Sequence, residues 1–186
     1  MPAARGLSNL LDHAAVYAKA RKIDPSILLD AVLYPNMYNL TRQVGEAIRH
    51  AVQACALLAG VDTPVFPDIE PDIPELKARI ATAIEFIGSL RPAAINGAGN
   101  KKVIFTFRNG SKREFAGESL LLTFSVPQFF FHVTTAYDIL RHCASASSRR
   151  IFWERQVNRR RIERARSRRR RSGPNSQPRR GRSFRF

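Results

Sequence analysis

At 186 residues and 44% apolar content, the chain can bury the core of one ordinary domain and carry an appendage. No apolar run reaches about 18 residues and no basic patch leads into an apolar segment at the N-terminus, which leaves no legible membrane span or secretory signal; a cytoplasmic protein without a membrane partner is expected. The net charge of +16 suggests nucleic acid until it is divided: residues 1–143 hold 15 basic and 13 acidic side chains, whereas residues 144–186 hold 16 arginines, no lysine and two glutamates.

In chain order, residues 5–22 place Leu7, Leu10, Leu11, Ala14, Ala18 and Arg21 at three- and four-residue steps, the spacing of an amphipathic first helix. Asp24 and Pro25 then stand as cap and first residue of a short helix. A second long helix is predicted from Leu40 to Ala59, with Gly60 as its stop. Residues 61–73 contain three prolines and read as an irregular surface connection. The third helix follows over about 74–90, started by Asp72 or Ile73 before Pro74. Between KKVIFTF and KREF lies RNGS, whose Asn-Gly pair is a strong hairpin signal, so a two-stranded ribbon is expected at 102–115. The fourth helix should occupy about 117–142, kinked or divided by Pro127. Cys55 and Cys143 stand far apart with no CxxC pairing and read as small apolar residues.

Chemistry-bearing residues gather on the second and fourth helices. His132 and His142 share a face, but ten residues put them about 15 Å apart along the axis, and zinc holds imidazole nitrogens at about 2 Å. They cannot share an ion. Asp138 with His142 is an i, i+4 pair that could, and His132 would need partners from other helices, such as His50 or His13. Gln43, Glu46 and His50 fall on one stripe of the second helix, where Glu46 and His50 could ligate or exchange protons. A solvated helix face accounts for that stripe more simply and is the preferred reading. For His132 the simpler account is a core histidine with a hydrogen-bonded neighbour, and for His142 a cation at a helix C-terminus. No GxSxG elbow, phosphate-binding loop or HExxH motif is present.

The stretches ARKIDPSILLDAVLYPNMYNLTRQV, LAGV, ELKARIATAIEFI and above all PQFFFHVTTAYDILRH resemble a bacterial domain-of-unknown-function family, number nineteen ninety-three, allied to the DinB/YfiT-like bundles, over residues 7–142. The resemblance implies a four-helix bundle, often a homodimer. It also implies kinship with metal-dependent enzymes, some of them thiol transferases, that use one histidine on the second helix and an HxxxH pair on the last. His50 and His132 match two of those positions, but the residue four beyond His132 is Ala136. Relatives begin their first helix about a dozen residues earlier, so MPAARG looks like a shortened or alternative start.

Residues 144–186 have the composition of a disordered chain, and their arginines suit nonspecific, salt-dependent binding of phosphate backbones. Arginine without lysine is also what a GC-rich gene yields out of frame. With suitable synonymous codons, restoring one nucleotide after Cys143 gives Cys-Gly-Val-Gly-Ile-Glu-Gln-Ala-Asp-Phe-Leu-Gly, close to the ending of the resembled family, and a frameshifted terminus is the preferred reading.

The expectation is thus a mainly all-α, DinB-like, up-down four-helix bundle over residues 1–143, with a small hairpin inserted before the last helix and a disordered basic tail over 144–186. Its function would be that of an uncharacterised DinB-like protein, a metal-dependent enzyme with a cleft between the second and fourth helices. Gln43, His50, His132 and Tyr137 would line it, His132 as ligand or general base and Gln43 orienting a substrate. His50 and His132 would hold the divalent ion, zinc or nickel. The alternatives are a nucleic-acid-binding protein acting through its tail and a noncatalytic dimerisation module.

Overall fold

The computed structural model describes residues 2–66 and 72–143. The arginine-rich segment, with the disorder, nucleic-acid and reading-frame expectations placed on it, lies outside the described residues.

Helix α1 spans Pro2–Arg21 and buries Leu7, Leu10, Leu11, Ala14 and Ala18 of the predicted stripe, while Arg21 at its end is exposed. The short α2, Pro25–Leu29, starts where Asp24 accepts a hydrogen bond from Ser26 N at 2.9 Å, and Pro25 supplies a preset φ in its first turn. Helix α3 runs from Leu40 to Ala59. The side chain of Asn39 accepts from Arg42 N at 3.0 Å, and Gly60 ends the helix at φ 71°, a left-handed conformation that only glycine adopts without strain. Helix α4, Ile73–Ser89, is capped by Asp72, which accepts from Glu75 N at 2.8 Å. An unpredicted short helix α5, Pro92–Asn96, follows, opened by Pro92 in its first turn.

Strands β1 (Lys102–Thr106) and β2 (Lys112–Ala116) pair antiparallel, with Val103 opposite Phe115 and Phe105 opposite Arg113. Gly110, at φ 80°, closes the turn that the Asn-Gly pair signalled. Lys101 donates to the Leu57 and Leu58 carbonyls at 3.0 and 3.3 Å, satisfying acceptors left over at the end of α3 and fastening the base of the hairpin. A short helix α6, Gly117–Ser119, leads into a π-helical turn over Leu120–Ser125 and then α7, Val126–Cys143.

The predicted fourth helix is therefore divided, by a different device from a proline kink. Pro127 lies in the first turn of α7, and the preceding turn is widened: Val126 N donates to Leu121 O, five residues back. A straight α-helix would drive the proline ring into the carbonyl four residues earlier. One extra residue in the turn opens that space.

The long helices close a bundle in which α3 packs on α4 and α7, and α1 packs on the same two. Lys77 of α4 pairs with Asp12 of α1. One core fills the space between these helices, built from residues such as Leu11, Val44, Leu76, Ile80, Ala136 and Ile139. A second, smaller core forms where Val103, Phe105 and Phe115 of the hairpin and Leu120 meet Ala54 of α3. A lone hairpin is marginal in water, and Phe105, fully buried, is what holds this one to the helices. The site lies where the two cores meet.

Candidate metal centre between α3 and α7

Gln43, Glu46 and His50 recur at three- and four-residue steps on α3, so all three project from one face, and His132 projects toward them from α7. The expectation of a solvated stripe is overturned: Gln43, Glu46 and His50 are 1%, 3% and 4% exposed. The reason is tertiary, because α7 covers one side of that face and the hairpin the other, and no pattern within α3 announces the second cover. His132 is likewise buried.

Gln43 fixes the state of His132. Its Nε2 donates to the Tyr38 carbonyl at 3.2 Å, which leaves Oε1 as the acceptor facing His132 Nδ1 at 2.7 Å. The imidazole must then carry its proton on Nδ1. Its Nε2 lone pair is left for a proton or a cation, the arrangement by which outer groups orient a metal-binding histidine. Gln43 thus acts on His132, whereas the sequence suggested that it would orient a substrate.

The His50 ring lies parallel to that of His132, with centroids 5.7 Å apart, and is wedged between Phe105 and the edge of Phe124. Among the described residues His50 Nδ1 has no hydrogen-bond partner, and Nε2 stands 3.5 Å from Arg49 Nη2, at the limit of such a bond. Burial, with help from the positive charges of Arg49 and His132, pushes the His50 pKa down to about 4, against the pull of Glu46. Burial also lowers that of His132, opposed by Glu46. Both shifts favour the neutral imidazole, the form that binds cations.

Glu46 is the buried charge. Desolvation favours its protonated form, but the hydrogen bond and charge of Arg49, together with Arg108 and His132, outweigh burial and hold the carboxyl below its ordinary range. Arg49 Nε meets Oε2 at 2.8 Å. Arg108 Nε stands 2.5 Å from Oε1 without the alignment of a hydrogen bond.

Glu46, His50 and His132 each offer one ligand atom, all within 4.8 Å of one another. Two neutral imidazoles and a carboxylate form a donor set suited to zinc, with a position left for water or substrate. Two buried atoms without hydrogen bonds, His50 Nδ1 and Glu46 Oε1, lie in the same cluster. The residues present fit a divalent cation.

Of the other candidates, Tyr137 sits about 140° round α7 from His132 and is half-buried against the main core. His13 on α1, and Asp138 with His142 near the end of α7, are not part of the cluster, and His142 is exposed. Cys55 and Cys143 are free and half-buried, and burial raises both thiols, so neither is primed as a thiolate. Arg49 and Arg108 were not foreseen. The Glu46–Arg49 step of three was legible as an ion pair, whereas Arg108 comes from the hairpin turn and carries no signal in sequence.

A four-helix bundle with a hairpin inserted before its last helix is a DinB-like architecture. The crystal structure of a DinB family member protein from Shewanella denitrificans matches with a TM-score of 0.72 at 27% identity, over 80% of this chain and 84% of that one. The chain belongs to the family described as domain of unknown function DUF1993, whose model matches residues 2–144. No curated protein matches the sequence. Among the described residues no helix is long and apolar enough to cross a membrane.

Proposed function

We propose that the protein is a metal-dependent enzyme of the DinB-like class, with its reacting centre in the cleft between α3 and α7. The observation that carries this reading is the convergence of Glu46, His50 and His132, all buried, with ligand atoms within 4.8 Å of one another. Burying three such groups without a purpose is costly, and a cation that joins them offsets that cost. A divalent ion held there would supply a Lewis acid.

The remaining work falls to the chain itself. Gln43 holds His132 at Nδ1 and leaves its Nε2 to bind, Arg49 anchors one oxygen of Glu46, and Phe105 and Phe124 pack on the His50 ring. Tyr38 and Phe131, both exposed, lie against the His132 ring and form the rim.

The test is metal content and calorimetric titration of the purified chain. One zinc or nickel per chain, lost on His132→Ala, is expected. A folded protein that takes up neither ion removes the enzyme reading and leaves a bundle with a buried polar cluster.

A further inference from the structure

The carboxylate of Glu46 is shared by two guanidinium groups of unequal standing. Arg49 follows it by three residues and is held at several points: Nε on Glu46 Oε2 at 2.8 Å, Nη1 on Gln53 Oε1 at 3.1 Å, and its guanidinium 5.6 Å from the Phe105 ring centre. Gln53 in turn donates to the Thr106 carbonyl at 3.1 Å, so Arg49 belongs to the fastening between α3 and the hairpin. Its side chain is 22% exposed.

Arg108 is different in each respect. It stands in the turn between β1 and β2, closed by Gly110 N to Phe107 O at 3.0 Å, and its side chain is 46% exposed. It reaches Glu46 Oε1, yet that oxygen receives no aligned hydrogen bond.

Charge governs how the cluster can receive a dication. Glu46 is the one carboxylate in the cluster, and two guanidiniums already stand against it, one on each oxygen. A divalent ion added to that set would face two like charges in a pocket shielded from water. One must move. Arg49 can leave only by breaking the link to the hairpin, whereas Arg108 swings into solvent and is rehydrated.

We propose that Arg108 is a cation placeholder, occupying the free oxygen of Glu46 until a divalent ion displaces it. This rests on the metal-binding reading, and it reverses the expected sign of one substitution. A residue that competes with the ion lowers its apparent affinity in proportion to how rarely it is out of the way.

Zinc alone, titrated calorimetrically into the full-length chain and into Arg108→Gln and Arg108→Lys, measures this. Arg108→Gln is expected to bind zinc about tenfold tighter or more, with Arg108→Lys falling back toward the wild type. In the wild type, the amide resonances of residues 107–111 should shift as zinc is added, a readout that needs no variant to fold. Equal or weaker zinc binding by Arg108→Gln, or turn resonances that stay still while zinc binds, overturns the placeholder and leaves the metal site standing. Zinc binding by none of the three chains overturns both.

Discussion

Gln43 has one amide and two fixed partners, and this makes it the most informative single position. Replacing it by leucine leaves His132 Nδ1 without an acceptor in a buried place, which should cost about 1–3 kcal/mol of stability. It should also weaken zinc or nickel binding roughly 10- to 100-fold, because the ring loses the group that sets its tautomer. Nitrogen-15 shifts of the His132 ring check the cause, with the proton on Nδ1 in the wild type and no longer held there in Gln43→Leu. The histidines also predict an acid dependence for the metal-free protein. His50 titrates near 6.5 in the unfolded chain and near about 4 when folded, so between those values the unfolded state binds more protons. Stability should fall as pH drops from about 6.5 toward 4, by roughly 3 kcal/mol from His50 alone, and denaturant titrations across that range should show a shallower slope in His50→Phe, with the remainder coming from His132. That Gln43, Glu46 and His50 share one stripe of α3 was legible from helical spacing, whereas their burial was not, since the stripe read as a solvated face. A carboxylate three residues before an arginine looks the same on a wet surface as under a hairpin.

At the level of elements, the boundaries carried by backbone chemistry were the ones open to reading. Helix α3 begins and ends where predicted, its stop at Gly60 read directly and its start held by Asn39, because a cap and a left-handed stop act locally. The widened turn over Leu120–Ser125 was not readable, since its cause is the fit of Pro127 and its hydrogen-bond pattern has no residue signature of its own. That turn sets Phe124 against His50 and buries Ser125. A second constraint sits just before it. A Cβ on Gly117 would run into the Ala98 carbonyl oxygen and come within 2.7 Å of Leu58 Cδ2. Backbone cannot yield as a flexible side chain can, so Gly117→Ala should destabilise by about 1–3 kcal/mol in thermal or denaturant melts. Gly88→Ala, where a new methyl meets nothing within 4 Å, is the control expected to be neutral or slightly stabilising.

Across the molecule, the buried apolar residues of both cores lie, among the described residues, between Ala4 and Leu140. Residues 144–186 carry 16 arginines and few aliphatic side chains, so truncation after Cys143 is expected to move the thermal midpoint by no more than roughly 2 °C and to abolish any salt-dependent retention on immobilised RNA. A large drop in midpoint would show that the segment contributes to the interior. The fold class was legible because four amphipathic stripes can be satisfied only against one another; the way they neighbour, with α1 and α3 both flanked by α4 and α7, is a property of the assembled bundle.

The division of the interior into a helical core and a hairpin core has a kinetic corollary. Few apolar side chains secure the smaller one, so the ribbon should lift away from the helices far more often than the rods themselves come apart. Amide protons of Val103 and Phe105 would then trade with deuterium well ahead of those in the middle of α3, and each such breath would uncover the imidazoles while the bundle stays intact.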